Sequence, residues 1–246
     1  MKSTTLLRSA TVLAVSIAFS QAFAFVNIIE EGHLDLGVKY SNGVWDLHIH
    51  DDFGGEYSPA DTLLYAGEAA RVTRPSGASW DFTGAAPGQT FWVLPQVEVP
   101  GILFLGIGSE EMSGSTFDSY FENDPRINAT GRWITLSVVG VRGPGHFSVW
   151  QTSPLGQIVP WVATSDGLDA TDRLFMREGG HVHFNWGFTQ VGLYEIDIRA
   201  TARLGGSVVE SDVTTYHFGV EAVPEPATLA TLALGAAMVL RRRRRG

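Results

Sequence analysis

His33-Leu34-Asp35-Leu36-Gly37-Val38-Lys39-Tyr40-Ser41-Asn42-Gly43-Val44-Trp45-Asp46-Leu47-His48-Ile49-His50 is the stretch that decides how this chain folds. Asn42-Gly43 is a strong hairpin signal, because both residues tolerate the positive φ that a two-residue type I′ turn demands. Strands over residues 33–40 and 44–50 are therefore expected to run antiparallel. Along the second strand Trp45, Leu47 and Ile49 share one face, while Asp46, His48 and His50 share the other. That alternation belongs to a strand buried on one side only.

The same signals continue outward along the chain. Gly, Val, Thr and aromatic residues are abundant, short alternating runs end at Gly, Pro, Asn or Asp, and helical periodicity is scarce. Residues 133–141 and 146–152 flank Arg142-Gly143-Pro144-Gly145, and residues 181–188 and 193–204 flank Thr189-Gln190-Val191-Gly192. Each pair reads as a hairpin. Gly205-Gly206 then turns the chain into a strand over 207–220. Residues 91–93 and 101–105 read as short strands, and 52–70, 109–130 and 164–178 are less regular. The expected fold is all-β: an antiparallel β-sandwich, a single domain over residues 25–222, flanked by a signal peptide and a C-terminal apolar helix.

At the N-terminus, Lys2 and Arg8 and an apolar run over 10–19 precede Ser20-Gln21-Ala22-Phe23-Ala24, a small-x-small sequence of the kind signal peptidase reads. The run is about half the roughly 20 residues of a membrane span, so a cleaved signal peptide over 1–24 is expected. At the other end, Val223-Pro224-Glu225-Pro226 leads into an uncharged segment, 227–240, and then five arginines, Arg241 to Arg245. Arginines beside an apolar segment stay on the cytoplasmic side, because carrying their charge through hydrocarbon is costly. The Pro-Glu-Pro triplet, apolar segment and basic terminus over 223–246 resemble the PEP-CTERM sorting tail of Gram-negative bacteria. That resemblance implies exosortase-type sorting machinery as a partner. It also implies display at the cell envelope, anchored at least transiently to the inner membrane through residues 227–240.

Composition narrows the function. Lys2, Arg8 and the terminal arginines are seven of the 17 basic residues and Glu225 is one of the 26 acidic ones, so the body carries 10 against 25, a net charge of −15. Nucleic acid, which needs a basic surface, is excluded as a partner. Cysteine is absent, which rules out disulfides, thiolate metal sites and a cysteine nucleophile. Any metal must be held by nitrogen and oxygen. The Asn128-Ala129-Thr130 sequon is read as a turn.

Four of the seven histidines form two His-x-His pairs, His48/His50 and His181/His183. Residues i and i+2 of a strand point to one face with Cβ atoms ~7 Å apart, so two imidazoles can converge on an ion at about 2.0–2.1 Å. On the second pair's strand, Val182, Phe184 and Trp186 share the apolar face, and His181, His183 and Asn185 the polar one. Asp46 and Asn185 are candidates to orient the rings. His33, on a neighbouring strand, is a further candidate ligand. Nitrogen and carboxylate donors without thiolate favour Zn(II), with Cu(II) or Ni(II) as alternatives. Binding through neutral imidazoles is expected to weaken below about pH 6.5. His146 and His217 read as structural. Asp51-Asp52, Glu110-Glu111 and Asp166/Asp169/Asp172 follow no EF-hand pattern and read as solvated surface.

Gly32-His33-Leu34-Asp35, Trp92-Val93-Leu94-Pro95-Gln96 with Phe104-Leu105-Gly106, Gly143-Pro144-Gly145-His146-Phe147 and His181-Val182-His183-Phe184-Asn185-Trp186-Gly187-Phe188-Thr189 occur in an order that resembles the choice-of-anchor M domain of bacterial surface proteins. The resemblance covers most of residues 30–203. It implies an envelope-displayed domain, associated in some members with metal-uptake systems and, among PEP-CTERM relatives, with zinc-regulated expression. A metal transporter is then a possible partner. His33, His181 and His183 fall within the family-like segments, whereas His48 and His50 come from the local pattern. The function expected is a non-catalytic zinc-binding protein, with metal sites at His33, His48, His50, His181 and His183. The alternative is an adhesion or ligand-binding module without metal. A hydrolase would need an open metal position and a base such as Glu178, and no H-E-x-x-H, G-x-S-x-G or P-loop motif is present.

Overall fold

A computed structural model describes residues 25–223. The expected signal peptide over 1–24 and the expected apolar helix over 227–240 lie outside the described residues. Among the described residues the chain is all-β, with three short 3-10 turns at Pro59–Asp61, Glu68–Ala70 and Ala78–Thr83, and no helix is long and apolar enough to cross a membrane.

Its strands form a seven-stranded sheet, two five-stranded sheets and a two-stranded ribbon. The hairpin at the head of the chain is present: Gly32–Ser41 pairs antiparallel with Val44–Asp51 across Asn42 and Gly43, whose φ of 53° and 83° are those of a type I′ turn. The expectation of purely antiparallel sheets is corrected. Gly32–Ser41 pairs in parallel with Leu103–Gly108, and Thr62–Ala66 pairs in parallel with both Asn27–Ile29 and Thr214–Val220. Of the three large sheets, the five-stranded one that contains Phe147–Thr152 is the one antiparallel throughout.

Two predicted hairpins are corners between sheets. Trp133–Arg142 lies in the seven-stranded sheet and Phe147–Thr152 in the antiparallel one. Asn185–Phe188 and Gly192–Leu204 are likewise in different sheets. The two corners pack on each other, and Cβ atoms at Gly143 and Gly192 would meet the Tyr194 ring and Pro144 respectively. Gly-Pro chemistry reverses the chain in either case. Which strand is met afterwards depends on the core. The predicted strand over 207–220 is two, Ser207–Glu210 and Thr214–Val220, both paired with Gly192–Leu204. At the break Ser211 exchanges backbone and side-chain hydrogen bonds with Ala200, so that edge stays satisfied.

The three large sheets share one apolar core. It joins Leu34, Leu36 and Ile107 of one sheet to Phe147, Trp186 and Phe188 of the second, and to Leu136, Ile196 and Phe218 of the third. The predicted strand 181–188 crosses between two of them. His181–His183 pairs with Leu103–Gly108, and Asn185–Phe188 pairs with Thr90–Leu94 and Phe147–Thr152. Phe184, buried against Trp161 and Trp186, pins the crossing. Amides satisfy the backbone there: Gln151 Nε2 donates to the His183 carbonyl, and the Asn185 amide is clipped to Gln96.

Candidate metal centre

Strand pairing decides which side chains meet above the mixed five-stranded sheet. Along Gly32–Ser41, alternation sends Leu34, Leu36 and Val38 into the core and His33, Asp35, Gly37 and Lys39 to the opposite face. Along Leu103–Gly108, the inward residues are Leu103, Leu105 and Ile107, and Phe104, Gly106 and Gly108 oppose them. The register sets Asp35 between His50 and Gly106, with His183 beyond Gly106. One transverse row therefore reads His183, Gly106, Asp35, His50. The next reads His181, Gly108, Gly37, His48.

Glycine is needed in the middle of both rows. A Cβ at Gly106 would strike the Asp35 carboxylate and the His183 ring, one at Gly108 the Glu110 carboxylate, and one at Gly37 both His48 and His50. The outer side chains lean inward over a floor that carries none.

At one end of this trough His33, His181 and His183 bring donor atoms within 4.8 Å of one another. His33 Nε2 lies 3.1 Å from His183 Nε2. Asp52 Oδ1 accepts a hydrogen bond from His33 Nδ1 at 2.7 Å, which fixes the ring and aims Nε2 at His183. The His183 ring stacks flat on Phe104, 3.7 Å between centroids.

At the other end Asp35, His50 and Glu110 also bring donors within 4.8 Å of one another. His50 Nε2 is 3.8 Å from Asp35 Oδ2 and 3.7 Å from Glu110 Oε2. His48 stands beside this group, with Nε2 3.2 Å from His50 Nδ1 and 3.5 Å from Glu111 Oε2.

The five histidines singled out in the sequence thus lie on one face. Both His-x-His pairs have the parity that alternation requires, with ring centroids 5.3 Å apart in each. They do not converge on one point, because Leu103–Gly108 and Gly32–Ser41 run between them. Asp46 Oδ2 stops 3.8 Å from His48 Nδ1, beyond hydrogen-bond distance, and among the described residues that nitrogen has no hydrogen-bond partner, so Asp46 does not fix the ring as expected. Asn185 does not serve that role; its side chain belongs to the Gln96 clip in the other sheet, and Asp52 holds His33 instead. Glu178 is committed elsewhere, its carboxylate accepting from the backbone N–H groups of Thr116 and Phe117 at 2.7 and 2.9 Å.

Sequence reasoning missed Asp35 and Glu110 as site residues. The signal for Asp35 is its place two residues after His33, on the same face. Glu110 had one too, since it continues the parity of Gly106 and Gly108 past the end of their strand. Asp35 is only 2% exposed, and its Oδ1, above Gly106, has no hydrogen-bond partner among the described residues. Burial, with Glu110 close by, pushes its carboxyl up to about 6 against the pull of the neighbouring histidines. Burial, then His33 and His181, push His183 down to about 4, so its imidazole is neutral at pH 7. A buried acceptor without a donor, beside the neutral His183 ring, is the electrostatic setting a cation would relieve.

The far end of the chain supplies the address. Residues 222–245 match the PEP-CTERM protein-sorting motif. That motif marks an exported protein, sorted by exosortase machinery and anchored at the envelope. No curated protein and no solved structure matches the chain.

Proposed function

We propose that this exported, envelope-anchored protein is a non-catalytic metal-binding protein that holds Zn(II) on the histidine face of its mixed five-stranded sheet. The observation that carries the reading is Asp35 Oδ1, a buried and unpartnered carboxylate oxygen within a trough of histidines that glycines keep open. Imidazole and carboxylate donors, without thiolate, suit Zn(II). The acidic body favours cations in its neighbourhood. The resemblance of residues 30–203 to choice-of-anchor M domains agrees with this reading and points to a metal transporter as the receiving partner. The test is metal analysis of protein purified without a histidine tag, followed by melts with EDTA and with added Zn(II). Absence of bound metal together with an unmoved melting temperature would refute the proposal.

One feature favours a second reading, a ligand-binding or adhesion module. A groove of about 430 Å³ on the antiparallel sheet is lined by Trp80, Phe91, Val93 and Trp150. Surface binding that survives loss of both histidine pairs would favour it.

A further inference from the structure

We propose that the trough takes two metal ions, one at His33, His181 and His183 and one at Asp35, His50 and Glu110, with the two carboxylates shared between them. The inference rests on the metal-binding reading and extends it from one ion to a pair.

Six donors are too many for one Zn(II), which is almost always four-coordinate in structural sites and leaves a fourth position to solvent in catalytic ones. The donors also sort themselves into two sets. Donors of one tetrahedral ion at ~2.0–2.1 Å stand ~3.3 Å apart. The His33–His183 approach of 3.1 Å meets that spacing, and the separations of 3.7 and 3.8 Å around His50 Nε2 come within a few tenths of an ångström of it.

Both carboxylates lie between the sets. Asp35 Oδ2 is 3.5 Å from His33 Nε2 and 3.8 Å from His50 Nε2. Glu110 turns Oε1 to His181 Nδ1 at 2.8 Å and Oε2 toward His50 Nε2 at 3.7 Å. Shared anions of this kind let two cations stand ~3.5–4 Å apart, as in two-metal sites generally. Each set also has a ring held from behind. Asp52 engages Nδ1 of His33 and His48 engages Nδ1 of His50, and in both cases Nε2 is left to face the trough. His48 is therefore a positioning residue rather than a ligand. The floor agrees with a pair: Gly106 lies under the Asp35 carboxylate and beside His183, where the two sets adjoin, and only glycine leaves that space open.

The experiment is Zn(II) titration of the EDTA-stripped, dialysed full chain without a tag, with bound metal counted by elemental analysis, followed by Co(II) spectra of the same protein. Two ions per chain are expected in the wild type, one in His183→Ala and one in His50→Ala, with circular dichroism confirming that each variant is folded. Glu110→Gln is expected to weaken both binding steps by at least ~10-fold. A wild-type count of one overturns the pair while leaving the metal-binding reading standing, and a count of zero overturns both. Should a variant fail to fold, the wild-type count and Co(II) spectra still decide: two spin-coupled Co(II) ions support the pair, and two uncoupled ions overturn the shared carboxylates.

Discussion

Asp35 and Asp124 are carboxylates buried to similar depth, 2% and 4% exposed. The chain supplies Asp124 with its own cation. Arg126 donates Nε and Nη2 to the two carboxylate oxygens at 2.8 and 2.7 Å, its backbone N–H adds a third bond, and Arg173 a fourth. Those bonds hold the Asp124 carboxyl down to about 2. Among the described residues Asp35 has no arginine or lysine partner and one of its oxygens is unpartnered, and its carboxyl is pushed up to about 6. One region is closed and contributes to folding. The other keeps an electrostatic debt that folding does not settle, which is what a binding site for a cation requires.

The largest test of this contrast is on the closed side. Arg126→Ala leaves a buried carboxylate without its main partner and is expected to lower unfolding stability by about 3 kcal/mol in urea melts, with the metal count unchanged. A loss below about 1 kcal/mol would show that Asp124 is not held as described.

Protonation should move the two regions in opposite directions. Asp124 is lowered, so its contribution is present above the ordinary carboxylate range and is lost as the pH falls from about 4 toward 2. Asp35 is raised, so the folded chain keeps a proton that the unfolded chain releases, and stability is lost as the pH rises from about 4 through about 6. Asp35→Asn, which removes that cost, should stabilise the EDTA-treated chain by about 2 kcal/mol at pH 8 and leave it unchanged at pH 4. It should also abolish the rise in melting temperature on adding Zn(II). Destabilisation at pH 8 would mean that Asp35 is satisfied after all.

Smaller effects probe the shape of the open side. Gly106→Ala forces a methyl group against Asp35 and His183. It is expected to cost about 1–2 kcal/mol and to reduce Zn(II) binding, read by melting and calorimetry on one sample. His48→Ala removes the contact behind His50 and the approach to Glu111 without taking a ligand away, so affinity at that position should fall ~10-fold with the ion count preserved. Loss of an ion in this variant would make His48 a ligand.

Much of the site was readable from local pattern, and the unread part has a common cause. The parity of His48 with His50 and of His181 with His183 follows from the two-residue period of a strand, and the fold keeps it. What period cannot say is which strands come between the pairs. Asp35 looks like any strand aspartate until the parallel pairing with Leu103–Gly108 lays Gly106 beside it. Glu110, read as solvated surface, enters the trough because it lies two residues past Gly108, the strand end that pairs with His181. The failed hairpins at Gly143-Pro144 and Gln190-Val191 have the same origin, since turn chemistry reverses a chain without choosing its next neighbour.

By itself, the sequence determined what short-range physics and receptor-read signals control. These are the type I′ turn at Asn42-Gly43, the two-faced strands, the acidic cysteine-free body and the sorting motif at 222–245. Only the tertiary structure decided that the histidines form two groups rather than one, that Asp35 is buried with one oxygen unpartnered among the described residues, and that three glycines clear the space between. Those outcomes depend on pairings between residues far apart in the chain. Such pairings are selected by burial of the whole core, which no local window of sequence contains.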